Sequence, residues 1–100
     1  MAAKTPKTPK VDIVGQEYDL KVIDQPMFEN RPVEGHCDVD NRTLWVKNGQ
    51  KGKGRRDTDE IILHEVIHAV NIALETGMSE KQVQSLGRGL WAAGVRVVLP

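Results

Sequence analysis

The sequence predicts an α+β domain in which short strands come first and two helices follow. Runs rich in β-branched and aromatic residues, separated by Gly, Pro and Asn, make up much of the first half of the chain. Two segments with helical periodicity, starting near Ile61 and Ser79, make up most of the second half. A length of 100 residues is enough for one domain with a single modest core. We therefore expect a small antiparallel or mixed sheet of about three to four strands packed against the two helices.

The composition indicates neither a charged partner nor association with a membrane. Lys and Arg together number 14, and Asp and Glu together number 14, so the overall charge is balanced. Cys37 is the single cysteine, which excludes an internal disulfide and suits a reducing compartment. The start of the chain lacks the apolar run of a signal peptide, and no stretch of about 18 apolar residues occurs. We expect a cytoplasmic protein that does not associate with a membrane.

The first ten residues, MAAKTPKTPK, differ in composition from the rest of the chain. They are poor in hydrophobic residues and rich in Pro and Lys, which predicts a disordered basic tail over residues 1–10. Residues 11–100 then form the single domain. An arm that binds nucleic acid through Lys4, Lys7 and Lys10 is the alternative interpretation of the tail.

The predicted strands lie between the tail and a glycine-rich segment. Residues 11–14 and 18–23 form two short strands, and residues 24–35, which contain two prolines, form a connecting loop. Residues 36–40 and Thr43–Lys47 form a hairpin that turns at Asn41-Arg42, with Leu44 and Val46 on one face. Residues 48–56, NGQKGKGRR, are predicted to form a mobile, solvated loop, with phosphate contact as the alternative.

The first predicted helix has clear end signals. Asp57 or Thr58 can cap its N-terminus, and Asp57 with Glu60 has the spacing of a capping box. Apolar residues cover most of its circumference, so we expect it to be buried on nearly all sides. Thr76-Gly77 ends it, with Gly77 in the left-handed position that often follows a helix.

The second predicted helix starts at Ser79, which forms a capping pair with Gln82. The short joint at Met78 predicts that the two helices pack side by side and roughly antiparallel. Residues 95–99 are expected to form a strand or a tail. The apolar stripe of this helix is predicted to comprise Val83, Leu86, Leu90 and Trp91.

The first helix contains the motif His64-Glu65-Val66-Ile67-His68. Residues four apart lie on one face of a helix, so both imidazoles can reach one Zn²⁺ at about 2.0–2.1 Å. Glu65 follows the first histidine directly and would lie beside the metal, where it can accept a proton from water. Two surface histidines and an ordinary glutamate are the alternative, but the helical context that the motif needs is present.

These residues resemble the zincin metallopeptidases. The order of a small sheet, a helix with His64-Glu65-x-x-His68 and a second helix looks most like the minimal zincin-like proteins of phages and prophages. It is similar in outline to the ImmA/IrrE and SprT-like groups. The resemblance implies a metallopeptidase with one zinc ion per chain, in which a metal-activated water hydrolyses peptide bonds and Glu65 is the general base. A peptide or protein substrate would be held by an edge strand such as Thr43–Lys47.

The resemblance also suggests the third metal ligand. In the gluzincin branch a glutamate on the following helix fills this role, and Glu80 is in the matching place. It reaches the histidines only if the first helix ends early and the helices cross at an angle. Glu75 is too far along the axis, by about 10 Å, and Glu60 would be strained. A missing third protein ligand is one alternative. The other is a ligand from the hairpin, in the set His36, Cys37, Asp38 and Asp40.

Two other functions remain open from the sequence. One is a zincin-shaped module that binds a protein without cleaving it, against which the intact Glu65 argues. The other is a DNA-associated protease of the SprT-like kind, held on nucleic acid by the tail and by residues 47–56. A salt-dependent affinity for DNA would distinguish the last of these from a simple peptidase.

Overall fold

A computed structural model describes residues 8–49 and 57–99. It confirms the predicted α+β class, with a four-stranded mixed sheet and two helices. The predicted tail and basic loop lie largely outside the described residues, and the first strand begins at Lys10. The elements in chain order are β1 (Lys10–Ile13), β2 (Gln16–Ile23), β3 (Met27–Phe28), β4 (Arg31–Pro32), β5 (Gly35–Asp38), β6 (Thr43–Lys47), α1 (Thr58–Leu74) and α2 (Glu80–Ala92).

The main sheet has the strand order β1-β2-β6-β5. The predicted hairpin is confirmed as the antiparallel pair β5–β6, whereas β2 and β6 run parallel. Because β6 is paired on both sides, the expectation that Thr43–Lys47 is an edge strand is wrong. The edge on that side of the described sheet is β5, which packs against α1. A peptide could therefore add to β5 and not to β6.

The core lies between the sheet and α1. The side chains of Leu20, Leu44 and Val46 on the sheet are almost fully buried, and they meet Ile61 and Ala69 of α1. Each such aliphatic side chain larger than alanine contributes about 1.5–3 kcal/mol through burial.

The burial of α1 is less complete than the sequence predicts. Its middle turns, residues 61–69, are largely buried, but Ile72 and Leu74 in its last turn are 49% and 55% exposed. The prediction of burial on nearly all sides is therefore wrong for the last turn. The last turn of α1 extends beyond the neighbouring elements that cover its middle turns. The periodicity of the sequence therefore overestimates the burial of this helix.

Two-residue turns with left-handed backbone join the antiparallel strands at two places. Residues 24–35, predicted to be a loop, contain the small hairpin β3–β4, because Glu29 and Asn30 both have positive φ angles of 51° and 62°. Positive φ at both central residues is the type I′ geometry that suits hairpins. Val14 and Gly15 make the corresponding turn between β1 and β2, with φ angles of 52° and 80°.

The N-cap of α1 is one of the two residues predicted for it, whereas the residue at its C-terminus differs from the prediction. Asp57 is the N-cap, but its side chain accepts a hydrogen bond from the backbone N–H of Asp59. At the C-terminus Glu75 takes the left-handed position, with φ 51°, so the assignment of this position to Gly77 is wrong. Gly77 also has positive φ, but it lies within the joint that leads to α2. The helix ends at Leu74, before the Thr76-Gly77 pair at which the sequence predicts its end.

Helix α2 begins as predicted. Ser79 and Gln82 form a reciprocal capping box, with hydrogen bonds of 2.8 and 3.1 Å. Val83 is fully buried, as predicted. Leu86 is 43% exposed, so the prediction that Leu86 belongs to the buried apolar stripe is wrong. Gly87 is buried instead, because its lack of a side chain brings the backbone of α2 close to α1.

The segment after α2 forms no strand within the described residues 95–99, so the tail alternative holds there. Val97 nevertheless packs against both clusters of the core. Neither helix in the described part of the chain has the length and apolarity needed to cross a bilayer.

Candidate metal centre

The predicted metal ligands of the first helix lie where α1 meets β5 and the start of α2. His64 and Glu65 are buried, with 7% and 5% of their surface exposed, and the side chain of His68 is 23% exposed. Their spacing places the two imidazoles on one face of α1, as the sequence predicts. The rings meet edge to face, with centroids 4.7 Å apart.

The structure brings His64, His68 and Glu80 together. The Nε2 atoms of the two histidines are 3.1 Å apart, and the Glu80 carboxylate oxygens lie 3.3 Å from His64 Nε2 and 2.9 Å from His68 Nε2. Zinc bonds of about 2.0–2.1 Å in a tetrahedral site separate neighbouring ligand atoms by about 3.3 Å. The separations in this group are close to that value. The donors, two imidazole nitrogens and one carboxylate, can therefore hold a metal ion.

Glu80 reaches the histidines because α1 ends at Leu74 and α2 begins immediately after Ser79. As the first residue of α2, Glu80 is also favoured there by the helix dipole. Its side chain is 70% exposed, so the group is buried on the α1 side and open on the α2 side. An ion held there would keep a position accessible to solvent.

Asn71 holds the joint between the helices in place. Its side-chain amide donates to the Met78 carbonyl oxygen at 3.1 Å and accepts from the Met78 N–H at 3.0 Å. Thr76 Oγ1 also donates to the Asn71 side chain. These bonds fix the path of the chain two residues before Glu80. Sequence reasoning missed Asn71, although a lone amide within the apolar run His68-Ala69-Val70-Asn71-Ile72 is a usable signal.

The carboxyl group of Glu65 lies against the backbone of β5. A Cβ atom added to Gly35 would lie 2.5 Å from Glu65 Oε2 and 2.9 Å from its Cγ and Cδ atoms. Such approaches are shorter than van der Waals contact. The Glu65 side chain can therefore occupy this position only because residue 35 has no side chain. The sequence predicts Gly35 to be part of a loop and gives no link between it and Glu65. Neither β-propensity nor spacing indicates this contact, since it depends on how α1 packs against β5.

The hairpin residues proposed as alternative ligands are not part of this group. His36 stacks on Phe28, with ring centroids 4.1 Å apart, and it follows Gly35 on the outer edge of the sheet. Asp38 accepts hydrogen bonds of 3.2 and 2.8 Å from Asn41, which hold the pKa of its carboxyl group below the usual value. The Asp38 side chain therefore stabilises the turn between β5 and β6.

Cys37 also lies outside the His–His–Glu group. Burial, together with the nearby Glu65 carboxylate, raises the pKa of its thiol to about 11. Cys37 packs against the main core cluster, as expected for a small apolar residue.

A cleft of about 270 Å³ opens over the group. Glu65 lines it together with the three candidate ligands, and Gly35 to Cys37 form its wall on the sheet side. The Lys47 N–H donates to the Glu34 carbonyl oxygen at 2.7 Å, so by antiparallel alternation the N–H and C=O groups of Gly35 and Cys37 face away from β6. The cleft thus combines a metal-binding group, a carboxylate and outward-facing backbone groups of an edge strand.

Comparison of the chain with protein-family models, with curated proteins and with solved structures found no significant match. The likeness to zincins therefore depends on the residues of this site and on their arrangement.

Proposed function

We propose that the protein is a zinc-dependent metallopeptidase. One observation carries the proposal: the ligand atoms of His64, His68 and Glu80 converge within 4.8 Å of one another, in a cleft that Glu65 also lines. Catalytic zinc sites have three protein ligands and leave a further position open for water or substrate. A set of two imidazoles and one carboxylate without thiolate is one of the known catalytic combinations.

The chain would hold one zinc ion through His64, His68 and Glu80. A bound zinc ion lowers the pKa of water to about 7 and polarises a carbonyl group. The burial of His64 and the contact of both imidazoles with Glu80 orient the donors before an ion arrives. Preorganised donors lose little entropy on binding, which favours tight binding.

Glu65 is the general base in this proposal. It is buried beside the group and faces the cleft, so it can accept a proton from the water that attacks the carbonyl carbon. It then delivers that proton to the amide nitrogen as the C–N bond breaks. The contact with Gly35 limits where the carboxylate can lie, which keeps it close to the edge strand.

The substrate is an extended peptide that adds to β5. The outward-facing backbone groups of Gly35 and Cys37 provide hydrogen bonds for such a strand, and Gly35 lies next to the base. The bond to be cleaved would then lie near Gly35. This replaces the expectation that β6 binds the peptide.

The test compares the zinc-loaded wild type with Glu65→Gln on a mixture of short random peptides, with products detected by mass spectrometry. We expect cleavage by the wild type, none by Glu65→Gln, and equal zinc content in both, because the amide keeps the shape but loses the basicity. Glu75→Gln, the same substitution at the exposed end of α1, is the matched control and should retain activity.

Two results would count against the proposal. Cleavage at the wild-type rate by Glu65→Gln would remove Glu65 as the base. A wild type that binds zinc but cleaves no peptide in the mixture would favour the non-catalytic binding module.

A further inference from the structure

A second cavity of about 300 Å³ lies between the β1–β2 turn and the end of α1. We call it the Val14 groove. It is lined by Ile13, Val14, Gln16, Tyr18, Val39, Ile72 and Ala73. None of the described residues that line it is charged. A groove of this composition favours an apolar side chain over a charged one.

The Val14 groove and the metal cleft share one lining residue among those described. Ile72 lines both cavities, and its side chain is 49% exposed although it is large and apolar. Val39, on the opposite side of the groove, directly follows the last residue of β5. A peptide that extends along β5 past the metal cleft would therefore reach this groove next.

Val14 has a backbone conformation that its side chain disfavours. Its φ angle is 52°, and a β-branched residue with positive φ is a true outlier, whereas Asn or Gly is common at this place in a type I′ turn. Its side chain is 53% exposed, so burial in the core does not compensate for the strain. Strain of this kind is found at functional sites.

We propose that the Val14 groove binds a large apolar side chain of the peptide substrate, on the N-terminal side of the cleaved bond. This inference rests on the proposed peptidase function and adds a substrate class to it. The contact with Val14 accounts for an apolar residue in a strained and exposed turn, where Asn would fold better.

The direction follows from strand pairing. Antiparallel pairing is slightly more stable per residue than parallel pairing, so the peptide runs opposite to β5. Its residues N-terminal to the cleaved bond then lie towards Val39, and those C-terminal to it lie beyond Gly35. Gly35 and Val39 are four residues apart, or about 13 Å in a strand, which places the apolar residue within about four positions of the cleaved bond.

The experiment uses two measurements with the same random peptide mixture. Products of the zinc-loaded wild type give the residue preference at each position around the cleaved bond. Peptides captured by immobilised, zinc-loaded Glu65→Gln and identified by mass spectrometry give the binding preference without any need for cleavage. The cleavage measurement is repeated with Val14→Asn, and the capture measurement is repeated with Val14→Asn added to Glu65→Gln.

We expect Val14→Asn to raise the Tm by about 4 °C or more and to lower the apolar preference by about tenfold. If Val14 served only the turn, Val14→Asn would raise the stability but leave the peptide preference unchanged. The matched control is Glu29→Asn, which places Asn at the equivalent position of the β3–β4 turn, away from the groove. It should leave the peptide preference as in the wild type.

Three outcomes decide the inference. Apolar enrichment N-terminal to the cleaved bond that is lost in Val14→Asn and kept in Glu29→Asn supports it. Absence of apolar enrichment at those positions, or enrichment that Val14→Asn does not change, overturns it. If no peptide is cleaved while Glu65→Gln still captures apolar peptides in a Val14-dependent way, the peptidase proposal fails and the groove stands as a peptide-binding site.

Discussion

The Glu65 carboxyl group occupies the space in which a side chain at position 35 would lie. The atoms that a Cβ at Gly35 would meet belong to the outer part of a side chain and not to backbone. A larger residue at position 35 would therefore push the Glu65 carboxylate aside and leave the sheet in place. The edge strand and the Glu65 carboxylate are linked at this point.

We expect Gly35→Ala to lower peptidase activity by at least about tenfold, because small displacements of a catalytic group have large effects on rate. Zinc affinity should stay within about twofold, since the ligands are on α1 and α2. Activity and zinc affinity measured on the same preparation check this. Gly89→Ala, at a glycine with open space around it, is the control and should change neither. Full activity in Gly35→Ala would show that Glu65 needs no support from β5.

Replacing Glu80 tests its role as a ligand. As a residue at a helix N-terminus its charge contributes about 0.3–1 kcal/mol, whereas the loss of one of three ligands should lower zinc affinity by more than about 100-fold. We expect that large loss for Glu80→Ala, measured by competition with a chelator. Asp59→Ala removes a comparable acid from the first turn of α1 and should change only the stability, slightly. Equal zinc affinities for the two variants would reduce Glu80 to a residue that begins a helix.

Asn71 should support the metal site without touching the ion. Asn71→Ala removes the hydrogen bonds to Met78 and Thr76, so we expect a loss of about 1–3 kcal/mol in the free energy of unfolding. Because the joint then holds Glu80 less firmly, zinc affinity should fall by about 10–100-fold. Thr76→Ala keeps the pair between Asn71 and Met78 and should have a smaller effect on both. Unchanged zinc affinity in Asn71→Ala would separate the joint from the site.

The thiol of Cys37 should react slowly at neutral pH. A pKa of about 11 leaves about one thousandth of it as thiolate at about pH 8, against about a quarter for an ordinary cysteine. We expect alkylation by iodoacetamide to be at least about 100-fold slower in the folded protein than in urea, and to accelerate as the pH rises towards 11. Cys37→Ala should bind zinc like the wild type. Rapid alkylation, or weaker zinc binding in Cys37→Ala, would reopen a ligand role for the hairpin.

The helical parts of the fold follow closely from local signals. Ser79 and Gln82 indicate the start of α2 through bonds that lie within one turn, and this prediction is confirmed. The end of α1 could not be found in the same way. Glu75, which is not glycine, adopts the left-handed conformation because Asn71 and Met78 fix the following joint, and that contact is tertiary.

The sheet was harder to predict, because the order of strands depends on contacts between distant residues. The β5–β6 hairpin is local and was predicted, but the parallel pairing of β6 with β2 joins residues 24 positions apart. Alternation within Thr43–Lys47 indicates which face is buried and says nothing about which edges are paired. The place of β5 beside Glu65 follows from that pairing, so the role of Gly35 could not be read from the sequence.

The His–His–Glu group spans two helices that also pack directly against each other. In the described residues, α2 is held against α1 by a small apolar cluster of Leu63, Ile67 and Val83, with a few half-buried neighbours. An ion bound by His64, His68 and Glu80 would act as a cross-link between the helices. Without it, we expect α2 to open by local unfolding before the sheet does, and to become the first site of proteolysis. The supply of zinc would then set the lifetime of the protein as well as its activity.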